Sequence, residues 1–233
     1  VNITKPDAPS FTDTVSVDEE GLADGTNPDA TSETVTWTAP DGYTIVEIKE
    51  GESGKLGTAE VVDGKVEYTL SDAITHGEGA GENISESADK FTVTIMDGKG
   101  NTYTVTVNVD VVDDVPTISA DSLSKDVASG AEVTGSVDID YGADNEGGQK
   151  SLKVNGQTGT ATEDGKLSFD LENGTLVFDP ATGSYVFTAD ANVTDDQMLN
   201  FVVTDADGDT DDVSVTVNIT KPDAPSFTDT VSV

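Results

Sequence analysis

The chain has 233 residues, 46 of them acidic and 11 basic, which leaves a net charge of −35. All of its cations are Lys and none is Arg, which argues against nucleic acid and anionic membrane surfaces as partners, since both need clustered positive charge. Cys is absent, so there are no disulfides or thiolate-bound metals, while 34% hydrophobic content still suits folded modules.

Taken from its first residue, the chain opens on VNITKPDAPSFTDTVSV (1–17), and the same 17 residues return unchanged at 217–233. Identity over that length predicts a tandem array with a period of 216 residues. The strand signals follow in order, with Val, Thr, Ile, Phe and Tyr alternating with polar residues. They cover 11–17, 33–38, 65–70, 91–95 and 103–109, then 132–139, 151–154, 166–171, 175–178, 184–188, 199–204 and 213–219. Asp63-Gly64, Asp97-Gly98, Asn155-Gly156, Asp164-Gly165 and Asn173-Gly174 are turn signals between them. One turn of helix is expected near 70–74, and no amphipathic helix. No apolar run approaches the roughly 18 residues of a transmembrane helix.

A weaker internal repeat halves the period. FTVTIMDGKGNTYTVTVNV from Phe91 resembles FVVTDADGDTDDVSVTVNI from Phe201, matching Asp97 to Asp207. The expected organisation is therefore the end of a preceding repeat (1–6), module A (7–112), module B (113–222) and the first strand of the next repeat (223–233). About seven short strands per module predict an all-β fold: tandem immunoglobulin-like Greek-key sandwiches joined by short acidic, Pro-containing linkers. Trp37, Phe91, Phe169, Phe178, Tyr185, Phe187 and Phe201 are the expected core. VNVDVVDDVPTI at 107–118 reads as strand, stiff joint, next strand, because Pro leaves the ladder and holds its predecessor extended.

Greek-key loops cluster at two ends of a sandwich, which sorts the acids. One joint would gather Asp205, Asp207 and Asp209 from DADGDT with Asp140 and Asp144 from DIDYGAD. Asp18, Glu19 and Glu20 would come from VDEEGLAD, and Asp110, Asp113 and Asp114 from the linker. Eleven crowded carboxylates with no Lys among them call for a hard cation with oxygen ligands, and Ca²⁺ fits better than Mg²⁺ because it accepts 6–8 oxygens in loose geometry. DADGDT is no EF-hand: Thr210 and Thr216 stand where Gly and the bidentate Glu would be needed. The other joint is poorer, with Asp7 (or its copy Asp223), Asp41, Asp97, Asn101, Asp126, Asp195 and Asp196 beside Lys5, Lys99 and Lys221. One ion or none is expected there, with proline supplying the stiffness.

The segments VVDDVPTI, GSVDIDYGAD, TDADGDT, VDEEGLADGTNP and HGEGAGEN together resemble the extender repeats of giant RTX adhesins, type I-secreted surface proteins of Gram-negative bacteria. The resemblance implies a spacer role outside the cell, Ca²⁺ at the joints between bacterial immunoglobulin-like modules, and Asp113, Asp114, Asp140, Asp144, Asp205, Asp207 and Asp209 as its ligands. It further implies a monomeric segment whose partners are the neighbouring identical repeats of its own chain. Lys99 stands at the position matching Asp209, so the second joint departs from the pattern. The alternative is a glycan- or peptide-binding module using 44–89, with Tyr43, Tyr68 and His76 lining the site. Against it, both tyrosines read as sheet-packing residues and His76 as a cap on the turn before Gly77. An enzyme is the least supported reading: a nucleophilic triad would need His76, and no G-x-S-x-G elbow accompanies it.

Overall fold

The structure, a computed structural model, describes residues 11–49, 55–77, 81–143 and 150–221. It divides into two compact units. The first comprises the described residues of Val1–Thr117 together with those of Asp140–Lys150 and Thr204–Thr210; the second comprises those of Ile118–Ile139, Ser151–Val203 and Asp211–Val233.

The first unit contains β1 (Phe11–Asp18), β2 (Thr34–Trp37), β3 (Tyr43–Ile48), β4 (Gly57–Val62), β5 (Lys65–Leu70), β6 (Ile84–Asp97) and β7 (Thr102–Val112). They form two sheets, ordered β1-β7-β6-β3 and β2-β5-β4. Strand β1 runs parallel to β7, while β6–β7 and β2–β5 are antiparallel. This is the expected immunoglobulin-like sandwich. Its core follows from period-2 alternation, because Val105, Val107, Val109 and Val111 of β7 are all buried against Phe91, Val93 and Ile95 of β6. Tyr68 stacks on Phe91 with ring centroids 5.8 Å apart.

The second unit draws on β8 (Thr117–Ala120), β9 (Ser124–Ala128), β10 (Glu132–Asp140), β11 (Ser151–Val154), β12 (Gln157–Thr158) and β13 (Thr160–Ala161). It continues with β14 (Leu167–Leu171), β15 (Gly174–Phe178), β16 (Ser184–Ala189), β17 (Gln197–Thr204) and β18 (Thr210–Thr220). The sheet orders are β13-β14-β15-β16-β10-β8 and β12-β11-β17-β18-β9. The parallel contact recurs: β9 pairs with β18 as β1 pairs with β7. All seven aromatic residues expected in the core are buried.

Two expectations fail. Residues 71–77 form no helical turn; Ser71 N instead donates to Leu56 O and Ile74 N to Glu19. The one helical turn among the described residues is a 3₁₀ turn at Glu19–Gly21, where Asp18 caps the Glu20 N–H at 3.1 Å. Strands β3 and β4, absent from the expected set, are sheet edges whose residues are mostly exposed or half-buried, so hydrophobic alternation is weak.

Candidate metal centre

Strand register builds this site. Because β1 and β7 run parallel with Asp18 opposite Val112, both strands end at the same edge. Glu19 and Asp113, the next residues of each, leave side by side. Antiparallel β6 begins at Ile84, opposite Val112, so Asn83 lies against Asp113 and accepts its backbone N–H at 3.0 Å. The 204–210 loop, in the same unit, adds Asp207 and Asp209. One oxygen each from Asp113, Asp207 and Asp209 lie within 4.8 Å of one another, and all three residues are buried.

The 204–210 loop holds its own shape through Asp205. Its Oδ1 accepts the N–H groups of Gly208 and Asp209 at 2.9 and 2.8 Å, and its N–H donates to Asp209 O at 3.1 Å. Asp209 Oδ1 accepts Gly81 N–H at 2.7 Å. The buried Asp205 Oδ2, Asp209 Oδ2 and both oxygens of Asp207 accept no hydrogen bond from the described residues. Burial, and then the carboxylate of Asp207, push Asp205 up to about 6. Asp18, half-buried, is also raised, first by burial and then by the charges of Glu20, Asp114 and Glu82.

A second group shares Asp113. His76 is buried, with Nε2 3.4 Å from Glu19 Oε1 and 4.0 Å from Asp113 Oδ1. Glu19 is fully buried; Ile74 N–H donates to its Oε1 at 2.7 Å, and its Oε2 accepts no hydrogen bond from the described residues. Burial alone would lower the His76 pKa, but the neighbouring carboxylates of Glu19 and Asp113 outweigh it and raise it to about 9. The expected turn cap before Gly77 is therefore something else: a buried base among acids. The sequence offered one hint of this, since His76 is the only histidine of the chain.

Residues 6–110 match the family described as Bacterial Ig domain. The match, over somewhat less than half of the chain, supports a bacterial Ig-like repeat in that stretch. No curated protein matches the chain. Among solved structures, the bradyzoite-specific antigen BSR4 of Toxoplasma gondii is 11% identical, with a TM-score of 0.37 over 93% of this chain and 92% of that one. The N-terminal eight Ig domains of Down Syndrome Cell Adhesion Molecule give 12% and 0.32, and cadherin domains 3–6 of Protocadherin Gamma B2 give 15% and 0.31. This chain spans 24% of the former and 46% of the latter, which it covers with 91% and 90% of its own length. At such TM-scores these likenesses carry no argument about function.

Within the Ig-like repeat and its recruited loops, the expected ligands meet different fates. Glu19, Asp113, Asp205, Asp207 and Asp209 lie buried in or beside the two groups. Asp114 is buried too, but its oxygens are taken by the N–H and hydroxyl of Thr26 and the N–H of Ala143. Glu20 accepts the Ser32 hydroxyl at 3.3 Å, and Asp110 accepts Ser87 N–H at 2.7 Å, clasping a bulge in β6. Asp140 is exposed and caps Gly142 N–H at 3.0 Å. Asp144 lies outside the described residues, as do Asp7 and Asp223.

At the poorer joint, Asp97 is spent on its own loop. It accepts the N–H groups of Lys99 and Asn101, the Asn101 amide and the Tyr103 hydroxyl. The Asn101 side chain leads in lowering its pKa to about 2. Among the described residues, Asp41, Asp97, Asp126, Asp195 and Asp196 join no group able to hold a metal.

The alternative binding site on 44–89 loses its lining. Tyr68 is fully buried and donates to Asp89 Oδ2 at 2.7 Å, His76 is buried, and Tyr43 packs edge-on against Tyr103 with centroids 5.5 Å apart.

Proposed function

We propose that this chain is a non-catalytic extender segment of a bacterial surface adhesin, in which Ca²⁺ bound at Asp113, Asp207 and Asp209 stiffens the chain. The single observation that carries the reading is Asp207, whose two buried oxygens accept no hydrogen bond from the described residues and lie beside the oxygens of Asp113 and Asp209. Carboxylates crowded in low dielectric repel strongly. Their donor set is oxygen only, which fits a hard ion of loose geometry. Ca²⁺ would supply two positive charges, and Asp205, which shapes the loop, would keep Asp207 and Asp209 in position.

Exact repetition of 17 residues supports a spacer, since reach grows with copy number whereas a catalytic site gains little from it. Bacterial Ig domains are typically extracellular, and extracellular modules bind Ca²⁺ with dissociation constants of about 0.1–1 mM. The finer placement, type I secretion to the surface of a Gram-negative cell in an RTX adhesin, rests on the motif resemblance. The partners would be neighbouring repeats of the same chain.

Small-angle scattering with and without millimolar Ca²⁺ at matched ionic strength tests the proposal. Ca²⁺ is expected to narrow the distribution of interatomic distances in the wild type and to leave Asp207→Asn/Asp209→Asn unchanged. A wild-type profile indifferent to Ca²⁺ would refute it.

A further inference from the structure

We propose that Glu19, His76 and Asp113 form a distinct site for a borderline divalent cation of the zinc type, adjoining the all-oxygen group. This inference stands without Ca²⁺ binding and shares only Asp113 with the all-oxygen group.

The hydrogen-bond network settles the state of the imidazole. The Asn83 side-chain nitrogen faces two acceptors, Gly81 O at 3.2 Å and Asp113 Oδ2 at 2.9 Å, so its amide can be oriented only one way. Asn83 Oδ1 is then the atom 3.3 Å from His76 Nδ1, and an amide oxygen only accepts. Nδ1 therefore carries a hydrogen, and in the neutral ring the lone pair sits on Nε2, aimed at two carboxylates. The His76 side chain is fully buried, and Nε2 makes no hydrogen bond with the described residues.

Distances favour an ion between these atoms. A charge-assisted N–H···O bond is about 2.7–2.9 Å long, but Nε2 stands 3.4 Å from Glu19 Oε1 and 4.0 Å from Asp113 Oδ1. Two ligands bound about 2.1 Å from one tetrahedral ion lie about 3.4 Å apart. The three ligand atoms fall within 4.8 Å of one another. Glu19 Oε2, buried without a hydrogen-bond partner among the described residues, is a further oxygen on a ligand already present. The supporting shell is in place: Asn83 orients both His76 and Asp113, and Ile74 N–H fixes Glu19. An imidazole nitrogen suits a zinc-type ion and is foreign to the oxygen shell of Ca²⁺. The ion would take the place of the Nε2 proton, and two carboxylates would balance its charge.

The chain has a single His and no Cys, so in tag-free protein any imidazole bound to metal is His76. The experiment is Zn²⁺ titration by calorimetry in saturating Ca²⁺, with X-ray absorption spectra of the Zn²⁺-loaded protein. One Zn²⁺ per chain and imidazole scattering in the first shell are expected. His76→Gln should weaken uptake by about 100-fold or more, while Asp207→Asn should keep it. No uptake, an oxygen-only shell, or His76→Gln binding like the wild type would each overturn the proposal. If His76→Gln does not fold, the wild-type spectrum alone decides. Loss of the scattering response to Ca²⁺ with Zn²⁺ uptake intact would reject only the Ca²⁺ reading, and the converse only this one.

Discussion

Asp89 is the most heavily used carboxylate away from the metal centre. Burial would raise its pKa, but N–H donors from Leu56 and Lys55 and the Tyr68 hydroxyl hold it below its ordinary 3.8. Asp89→Ala strands these donors, so a loss of about 3 kcal/mol is expected in urea unfolding; a loss under 1 kcal/mol would mean that water replaces them. Asp205 and His76 set the pH response of the metal-free chain. Asp205 is raised to about 6, so its contribution to stability is complete below pH 3.8 and disappears as pH climbs through 6. His76 is raised to about 9, so it contributes below pH 6.5 and ceases to as pH passes 9. Asp89 acts in the opposite sense, but only below 3.8. Melting curves in chelator should therefore fall in two steps between pH 4 and 10. A melting temperature that climbs from pH 4 to 7 would contradict the burial of Asp205.

At the level of strands, parallel pairing of β1 with β7 delivers Glu19 and Asp113 to one edge. A one-residue slip would turn the alternating face of β7 inside out. Glycine–aromatic pairs help to lock registers elsewhere. In the β10–β16 ladder Gly135 is opposite Tyr185, whose ring lies so close that a Cβ at 135 would collide with the hydroxyl oxygen. That oxygen belongs to a ring already packed 5.3 Å from Phe201. Gly135→Val is expected to cost about 2–3 kcal/mol through overpacking, read by urea unfolding, with Tyr185→Ala/Gly135→Val less destabilised than the two single losses combined. Gly142 plays a similar part near the metal centre. It adopts φ +66°, and a Cβ there would meet Asp114 Oδ2 at 2.7 Å.

For the whole chain, a charge of −35 makes stability depend on the ionic medium. Added NaCl should raise the melting temperature by screening. Ca²⁺ at a hundred times its dissociation constant would add about 2.7 kcal/mol, on the order of 10 °C for a unit of this size. Mg²⁺ at matched ionic strength should reproduce the screening and little of the remainder. Equal shifts for Mg²⁺ and Ca²⁺ would mean that the acids respond to ionic strength alone.

Composition and period already determined the fold class, because alternation of Val, Thr and aromatics with polar residues admits half-buried strands and little else. The same alternation carried a distinction finer than the one drawn from it. Val105, Val107, Val109, Val111 and Asp113 share one parity and are buried, whereas Asp110 has the other and points to a neighbouring bulge. Edge strands β3 and β4 were illegible, since few of their residues are fully buried. Only the tertiary structure could place His76 between Glu19 and Asp113, residues 57 and 37 positions away. It alone could separate Asp207, which accepts no hydrogen bond from the described residues, from Asp97 and Asp114, whose oxygens nearby donors occupy. Sequence supplies the carboxylates, but which of them lack a hydrogen bond depends on backbone groups that strand register brings near.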